Sequence, residues 1–277
     1  MNAPWPSTPA LVLGQVRHQN RMFWRSPVSA FFALALPLIM LVLFNALFEG
    51  QVDGPEGPIG ISQFYTAGLA VFSAASATYT NLGIGVAIQR DEGILKRVRG
   101  TPLPPWVHMA GLVGSAVWLA LIGVTMMITV GVVFYDLEVA ADKLPAAAVT
   151  FIVGVSTFAA LGLALAAMAR NGTAAPAIAN ATILPLAFVS NIFIALEDPP
   201  RWVEIIGDIF PLKPFASAFQ DAFNPFVEAP AFDWSAIGWI AVWGVAGAVV
   251  AQRFHRWEPA RGTTGGRRSR RVRAASA

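Results

Sequence analysis

The 277-residue chain contains no cysteine, which excludes disulfide bonds and thiolate-ligated metals. Its three histidines, His18, His108 and His255, are too scattered along the chain to predict a metal site. Charged side chains make up only 13% of the chain, against about 25% in soluble domains, whereas hydrophobic residues make up 56%. A soluble protein of this composition could not cover its own surface with polar groups. The composition therefore indicates an all-α polytopic membrane protein.

Six apolar stretches are each long enough to cross a hydrocarbon core of roughly 30 Å as a helix. They cover residues 29–48, 61–88, 106–135, 145–169, 173–196 and 234–251. We therefore predict a six-span membrane domain over residues 29–252. A cytoplasmic N-terminal segment, residues 1–28, precedes it, and a basic disordered tail, residues 253–277, follows it.

The N-terminal segment contains an amphipathic pattern over residues 10–25, and Thr8-Pro9 before it is typical of a helix start. Its basic side chains recur every four residues: Arg17, Arg21 and Arg25. The pattern predicts a helix in the headgroup interface, with its arginines toward anionic lipid. A secretory signal is the competing interpretation, but the basic region is too long for one and no convincing cleavage site follows.

Charges are distributed unevenly between the loops on the two sides of the predicted membrane domain, and none is left within the spans. The side that carries both termini has 16 of the 19 basic residues and three of the 16 acidic residues. By the positive-inside rule, both termini are predicted to be cytoplasmic. The sequence pI of about 9.7 reflects this segregation. We therefore expect the basic tail to bind anionic lipid, and we expect no nucleic-acid partner.

The long outer loop before the last span contains two short amphipathic patterns, over residues 201–210 and 214–223. Their apolar faces comprise Trp202, Ile205, Ile206 and Ile209 in the first, and Phe215, Phe219 and Phe223 in the second. We expect these faces to pack into the outer mouth of the helix bundle. An interfacial belt that only anchors the loop is the alternative.

One dense mixed-charge segment, residues 89–105, lies between the second and third predicted spans. Charged groups cannot remain in hydrocarbon, so this segment must lie at a membrane face, and its basic excess places it on the cytoplasmic side. A docking surface for a soluble partner is predicted from these residues: Arg90, Asp91, Glu92, Gly93, Ile94, Leu95, Lys96, Arg97 and Arg99. Its charges can form ion pairs with the partner, and its apolar side chains can insert into it. An ordinary solvated loop is the alternative.

The topology and the loop sequence Arg-Asp-Glu-Gly-Ile-Leu-Lys-Arg-Val-Arg-Gly-Thr-Pro-Leu together resemble the type-2 permeases of ABC transporters, over residues 10–255. The drug-resistance exporter subunits of actinobacteria are the most similar in style. In that family the loop commonly reads Arg-x-x-Gly-Thr-Leu-x-Arg-Leu-Arg-x-Thr/Ser-Pro-Leu, so Ile94 replaces the usual threonine. The resemblance implies that the loop is a coupling helix that inserts into an ATPase subunit.

The same resemblance implies an exporter of drug-like or lipid-like amphiphiles in the bacterial cytoplasmic membrane. A second permease chain would complete the path, as a homodimer or a heterodimer. No lysine follows a glycine, so the chain lacks the phosphate-binding loop Gly-x-x-x-x-Gly-Lys-Ser/Thr. We therefore expect no cofactor and no enzymatic activity in this chain, with ATP and Mg²⁺ bound to the partner subunit.

Polar side chains within the predicted spans are candidates to border a transport path: Tyr65, Ser76, Thr80, Asn81, Asn180 and Asn191. The alternative is that they only hold helices together. Spans without charge disfavour a proton-coupled secondary transporter. Pro176 and Pro185 leave a broken-helix sodium site open. An ATP-independent lipid or membrane scaffold protein is a further alternative.

Overall fold

A computed structural model of the chain describes residues 6–48, 50–54, 57–194 and 199–254, which are mostly helical. The elements are α1 (Thr8–Trp24), α2 (Pro27–Ala30), a π-helical turn (Phe31–Ala35), α3 (Leu36–Leu47), β1 (Gln51–Gly54), β2 (Gly57–Gly60), α4 (Ile61–Ala75), a π-helical segment (Ser76–Asn81), α5 (Leu82–Asp91), α6 (Ile94–Arg99), α7 (Pro105–Phe134), α8 (Leu144–Met168), α9 (Ala175–Val189), α10 (Arg201–Ile209), α11 (Leu212–Asp221) and α12 (Trp234–Phe254). The predicted tail beyond Phe254 lies outside the described residues.

Four helices of the described chain are long and apolar enough to cross a membrane. They are the continuous helix Ile61–Asp91, α7, α8 and α12, which correspond to the second, third, fourth and sixth predicted spans. The other two predicted spans correspond to shorter apolar helices, Ala33–Leu47 and Ala175–Val189. The membrane-protein class is thus supported, and the full six-span arrangement stays a prediction.

The fifth predicted span, residues 173–196, is wrong in its length. Helix α9 ends at Val189, and Asn191 adopts a positive φ of 53°. The chain then folds back, so that Ile192 and Phe193 are buried in the core and the Phe193 ring lies 4.8 Å from that of Phe72. The apolar run therefore continues as a turn that is buried at Ile192 and Phe193. Hydropathy does not distinguish such a turn from a helix in lipid.

A short antiparallel hairpin, which the sequence analysis did not predict, connects α3 to α4. Val52 pairs with Ile59, and the side chain of Ile59 is buried against the bundle. Each strand has only four residues, and β2 consists of glycine and proline apart from Ile59, so the sequence is too short to show a clear polar–apolar alternation.

Helix α4 forms the centre of the core, because every residue from Phe64 to Ala75 is buried. Two glycines of α7 allow it to approach closely. A Cβ atom on Gly131 would lie 2.7 Å from Thr66 Cγ2, and Gly123 lies against the hydroxyl of Ser73 in the same way. The hydroxyl-bearing side chains of Thr66 and Ser73 therefore pack against α7 of the same chain.

The outer helices have bounds within two residues of those predicted, but their burial differs. Phe215, Phe219 and Phe223 are buried, as the pattern predicts. In α10 the prediction is wrong, because Trp202 and Ile209 are exposed while Val203 and Gly207 are buried. Helix α10 packs through the face that carries Val203 and Gly207. Gly207 lies beside the Val189 carbonyl and the Lys213 side chain. A bulkier face could not approach α9 so closely.

The N-terminal helix is confirmed as a helix and starts at Thr8, with Pro9 in its first turn. It lies along α7, where the Ser115 hydroxyl donates a hydrogen bond of 2.8 Å to Asn20 Oδ1. The three arginines of its predicted ridge are all exposed. One face of α1 thus contacts α7, and the three arginine side chains are exposed on the rest of the helix surface.

Candidate functional site: the α5–α6 segment and the π-helical segment

The predicted coupling segment folds as two helices joined at a glycine. Helix α5 ends at Asp91, Gly93 adopts a left-handed conformation with φ of 72°, and α6 begins at Ile94. Glycine suits this position because a side chain would be strained at positive φ. A Cβ on Gly93 would meet no atom within 4 Å, so the conformation, and not close packing, explains the glycine.

Two charged residues of the segment are used within the chain itself, which the sequence analysis did not anticipate. Arg90 is buried, and its guanidinium donates hydrogen bonds of 2.6 and 2.7 Å to the carbonyl oxygens of Ala166 and Ala169. Asp91 accepts a hydrogen bond of 2.5 Å from the Gly172 amide and lies 3.6 Å from Arg90 Nε. The expectation that both residues contact a partner is therefore not supported by their geometry. They attach α5 to the end of α8.

The remaining charges of the segment point outward: Glu92, Lys96, Arg97 and Arg99 are exposed. Leu95, predicted to insert into a partner, is fully buried in its own chain, and Ile94 is half-buried. The segment thus presents three basic side chains on a short helix and one acidic side chain just before it. The buried side chain of Leu95 anchors this helix to the rest of the chain. The hydrogen bonds from Arg90 to α8 and Ala169 fix the end of the preceding helix, α5.

The six predicted path residues do not converge. Tyr65 is buried among aromatic rings, with ring centroids 4.9 Å from Phe44 and 5.9 Å from Phe48. Asn180 is exposed, and the carbonyl oxygen of Asn191 lies 3.5 Å from Gln220 Nε2 in a hydrogen bond. For Tyr65 the structure favours packing, the alternative that the sequence left open.

Three of the six, Ser76, Thr80 and Asn81, lie in the π-helical segment at the middle of the Ile61–Asp91 helix. They are all half-buried. The segment packs against Gly162 of α8, where a Cβ would lie 2.6 Å from the Thr78 carbonyl oxygen and 2.8 Å from that of Tyr79. A π-helical turn is rare and commonly occurs at functional sites, because it changes the direction of side chains within a helix.

The π-helical segment separates two cavities. One, of about 280 Å³, lies between α1, α5 and α7, and we name it the α1–α7 cavity. Ala77 and Asn81 face it, together with the polar side chains of Gln19, Gln89 and Ser115. The other, of about 390 Å³, lies between α8, α9 and α12, and we name it the α8–α12 cavity. The intervening residue Tyr79 faces this second cavity.

Tyr79, which is not among the six predicted path residues, connects two helices that line the α8–α12 cavity. Its hydroxyl lies 2.7 Å from Thr182 Oγ1 in a hydrogen bond that joins the π-helical segment to α9. The two residues are separated by 103 positions, so no sequence pattern indicates that they meet. The only available signal was that tyrosine is amphipathic and that a hydroxyl in a membrane span needs a partner.

Comparison with known proteins gives two kinds of match. The model of the ABC-2 type transporter family matches residues 12–224 of the chain. The daunorubicin resistance ABC transporter permease protein DrrB1 of Streptomyces coeruleorubidus is 31% identical over 210 residues, which cover 72% of this chain and 70% of that protein. A protein of Bacillus subtilis (strain 168) named "Putative transport permease YvfS" is 26% identical over 194 residues, 70% of this chain and 77% of that protein.

Proposed function

Because the chain belongs to the ABC-2 type transporter family, we propose that it is the membrane-spanning subunit of an exporter driven by a separate ATPase subunit. The exporter lies in the cytoplasmic membrane of a bacterium, with both termini of this chain in the cytoplasm. Two permease chains, identical or different, enclose the path. ATP and Mg²⁺ bind to the ATPase subunit, and this chain carries out no chemistry of its own.

The observation that carries this proposal is the construction of the α5–α6 segment. Four charged side chains on and beside α6 are exposed: Glu92, Lys96, Arg97 and Arg99. Exposed charges of both signs on and beside a short helix suit a protein partner with complementary charges. Because α5 continues α4 without a break, a displacement of α6 would be transmitted along the Ile61–Asp91 helix to the π-helical segment.

The hydrogen bonds of Arg90 add a second route for the same movement. They connect the base of α5 to the carbonyl end of α8, and α8 in turn packs along α12. A push on α6 would therefore reach two membrane-spanning helices together. In this proposal Arg90 and Asp91 transmit the movement, while the four exposed charges receive it.

A neutral or amphiphilic cargo is proposed from the charge distribution. The sequence places no charged residue in the predicted spans, so a free multivalent ion would have no compensating group along the path. The name of one relative mentions daunorubicin resistance, which supports a drug-like cargo. A lipid-like cargo suits the same neutral path.

The test of coupling is a double charge reversal in the α5–α6 segment, Glu92→Lys with Arg97→Glu. Each exposed ion pair contributes only about 1 kcal/mol or less, so single changes should be mild. The double reversal should weaken co-purification with the ATPase subunit, or uncouple ATP hydrolysis from export. Membrane insertion should be unchanged.

The matched control reverses an ion pair in the outer loop, Asp208→Lys with Lys213→Glu. These side chains lie 2.7 Å apart, and Asp208 is well exposed. We expect this control to retain co-purification and coupled hydrolysis. Normal transport by the Glu92 and Arg97 double variant would contradict the proposal and reduce the segment to a passive loop.

A further inference from the structure

The α8–α12 cavity has the size and composition of a small-molecule site. Its volume of about 390 Å³ falls within the ~300–1,000 Å³ typical of ligand pockets. No charged side chain is among the residues that line it. Its roof is formed by Phe210 and Pro211, at the turn between α10 and α11. The cavity is therefore an apolar chamber closed on one side by the outer helices.

Four aromatic rings in two pairs contribute to the wall of this chamber. Tyr79 and Phe158 form an edge-to-face pair with centroids 6.5 Å apart, and Phe210 and Trp243 form a second pair at 5.5 Å. All four line the cavity. Aromatic walls favour a ring-containing occupant, because rings stack or pack edge-to-face with one another.

The polar groups of the cavity restrict the ligand further. Thr182 Oγ1 lies 2.9 Å from the carbonyl oxygens of both Ile178 and Ala179, so its proton is directed to the α9 backbone. Tyr79 must then donate to Thr182, which leaves the lone pairs of the Tyr79 oxygen free to accept. The indole N–H of Trp243 is engaged by the Ile209 carbonyl. The chamber thus offers a hydrogen-bond acceptor and no counter-charge.

We propose that the α8–α12 cavity binds a neutral, ring-containing molecule whose hydroxyl or N–H group donates a hydrogen bond to Tyr79. A phospholipid fits less well, because its acyl chain has no donor for Tyr79 and its charged headgroup would find no partner in the lining. The identification of this ligand as cargo rests on the proposed export function. The binding itself does not, since it requires neither ATP nor a second subunit.

The test uses the full chain in lipid nanodiscs and the neutral probe N-phenyl-1-naphthylamine, which has two aromatic groups and one N–H. Saturable binding is followed by probe fluorescence. Tyr79→Phe removes the acceptor and should weaken binding roughly fivefold. The N-methylated probe lacks the donor and should bind wild type and Tyr79→Phe equally. If Tyr79→Phe weakens the binding of both probes equally, or weakens the binding of neither, the assignment of Tyr79 as the acceptor is overturned.

A second pair of variants tests the location. Ala164→Phe places a ring in the cavity and should abolish saturable binding of both probes. Ala148→Phe makes the same change at an exposed position of the same helix and should bind as wild type does. If Ala164→Phe does not bind because it misfolds, its thermal unfolding will show this, and Leu161→Phe, at another lining position, then serves in its place. Wild-type binding by a folded cavity-filling variant would overturn the proposal.

One further outcome would identify the occupant of the cavity as a lipid. If native mass spectrometry finds phospholipid retained by wild type and lost from Ala164→Phe, and phospholipid displaces the probe, the cavity is a lipid site and the proposal is wrong. Failure of the Glu92 and Arg97 reversal experiment would leave these binding results untouched. The two proposals can therefore fail independently.

Discussion

Arg90, near the end of α5, donates a hydrogen bond of 2.7 Å to the carbonyl oxygen of Ala169, the residue that follows α8. The last carbonyl groups of a helix have no partner within the helix and carry partial negative charge. A buried guanidinium satisfies two of them at once, since it also bonds Ala166. This contact joins the α5–α6 segment to the membrane-spanning helices.

Replacing this guanidinium should destabilise the protein. Arg90→Met retains much of the side-chain volume but leaves the Ala166 and Ala169 carbonyls without their donor and removes a buried charge beside Asp91. Hydrogen bonds to charged groups contribute about 1.5–3 kcal/mol, so we expect a loss of about 3 kcal/mol. Thermal unfolding in detergent, followed by tryptophan fluorescence, measures it. The matched control Arg97→Met, at an exposed position, should change stability by less than about 0.5 kcal/mol. Similar losses in the two variants would contradict the role of Arg90.

Alanine substitution at two glycines should have opposite effects. A methyl group on Gly162 would meet the Thr78 carbonyl at 2.6 Å, so Gly162→Ala should cost about 2 kcal/mol of stability or displace the π-helical segment. Nothing lies within 4 Å of a Cβ at Gly85, one turn beyond that segment. Because alanine favours helix more than glycine does, Gly85→Ala should gain up to about 1 kcal/mol. Equal unfolding temperatures for both variants would show that α8 can move away at no cost.

The turn between α10 and α11 is held by two tryptophans of α12 that share one acceptor. Trp239 and Trp243 donate through Nε1 to the carbonyl oxygen of Ile209, at 3.1 and 2.8 Å. Either donor alone satisfies this carbonyl at the end of α10. We therefore expect Trp239→Phe and Trp243→Phe each to cost about 1 kcal/mol or less, and the double variant to exceed their sum by about 1 kcal/mol.

A double-mutant cycle of thermal unfolding measures this coupling between the two tryptophans. Trp234→Phe, an exposed position at the start of the same helix, is the control and should be close to neutral. Strict additivity of the two single changes would mean that the shared carbonyl has another partner or does not need one.

The membrane orientation can be tested by labelling, because the chain has no native cysteine. Cysteine at Glu138 or Glu228, both exposed, should react with an impermeant maleimide in intact cells. Cysteine at Thr101, exposed just after α6, should react only after permeabilisation. Labelling of position 101 from outside would reverse the predicted topology.

Several elements could be predicted from sequence because their cause is local. Helices α7, α8 and α12 start within one residue of the predicted positions, since an apolar run of sufficient length is itself the signal for a helix in hydrocarbon. The helix of the N-terminal segment and the division of the outer loop into α10 and α11 follow from residue periodicity and from Pro211. The charged loop between the second and third spans could also be predicted, because the apolar stretches on either side of it contain no charged residue.

The partners of individual side chains were decided by the tertiary structure. Arg90 looks in the sequence like the other basic residues of its loop, and it is buried only because α8 ends beside it, 76 positions further along the chain. Thr66 and Ser73 are buried against α7 because Gly131 and Gly123 leave room for their side chains there. Tyr79 meets Thr182 for a similar reason. Hydropathy and periodicity depend on residues that are neighbours in the chain. Burial and hydrogen bonding depend on which distant helices pack together, and this pairing cannot be deduced from a single sequence.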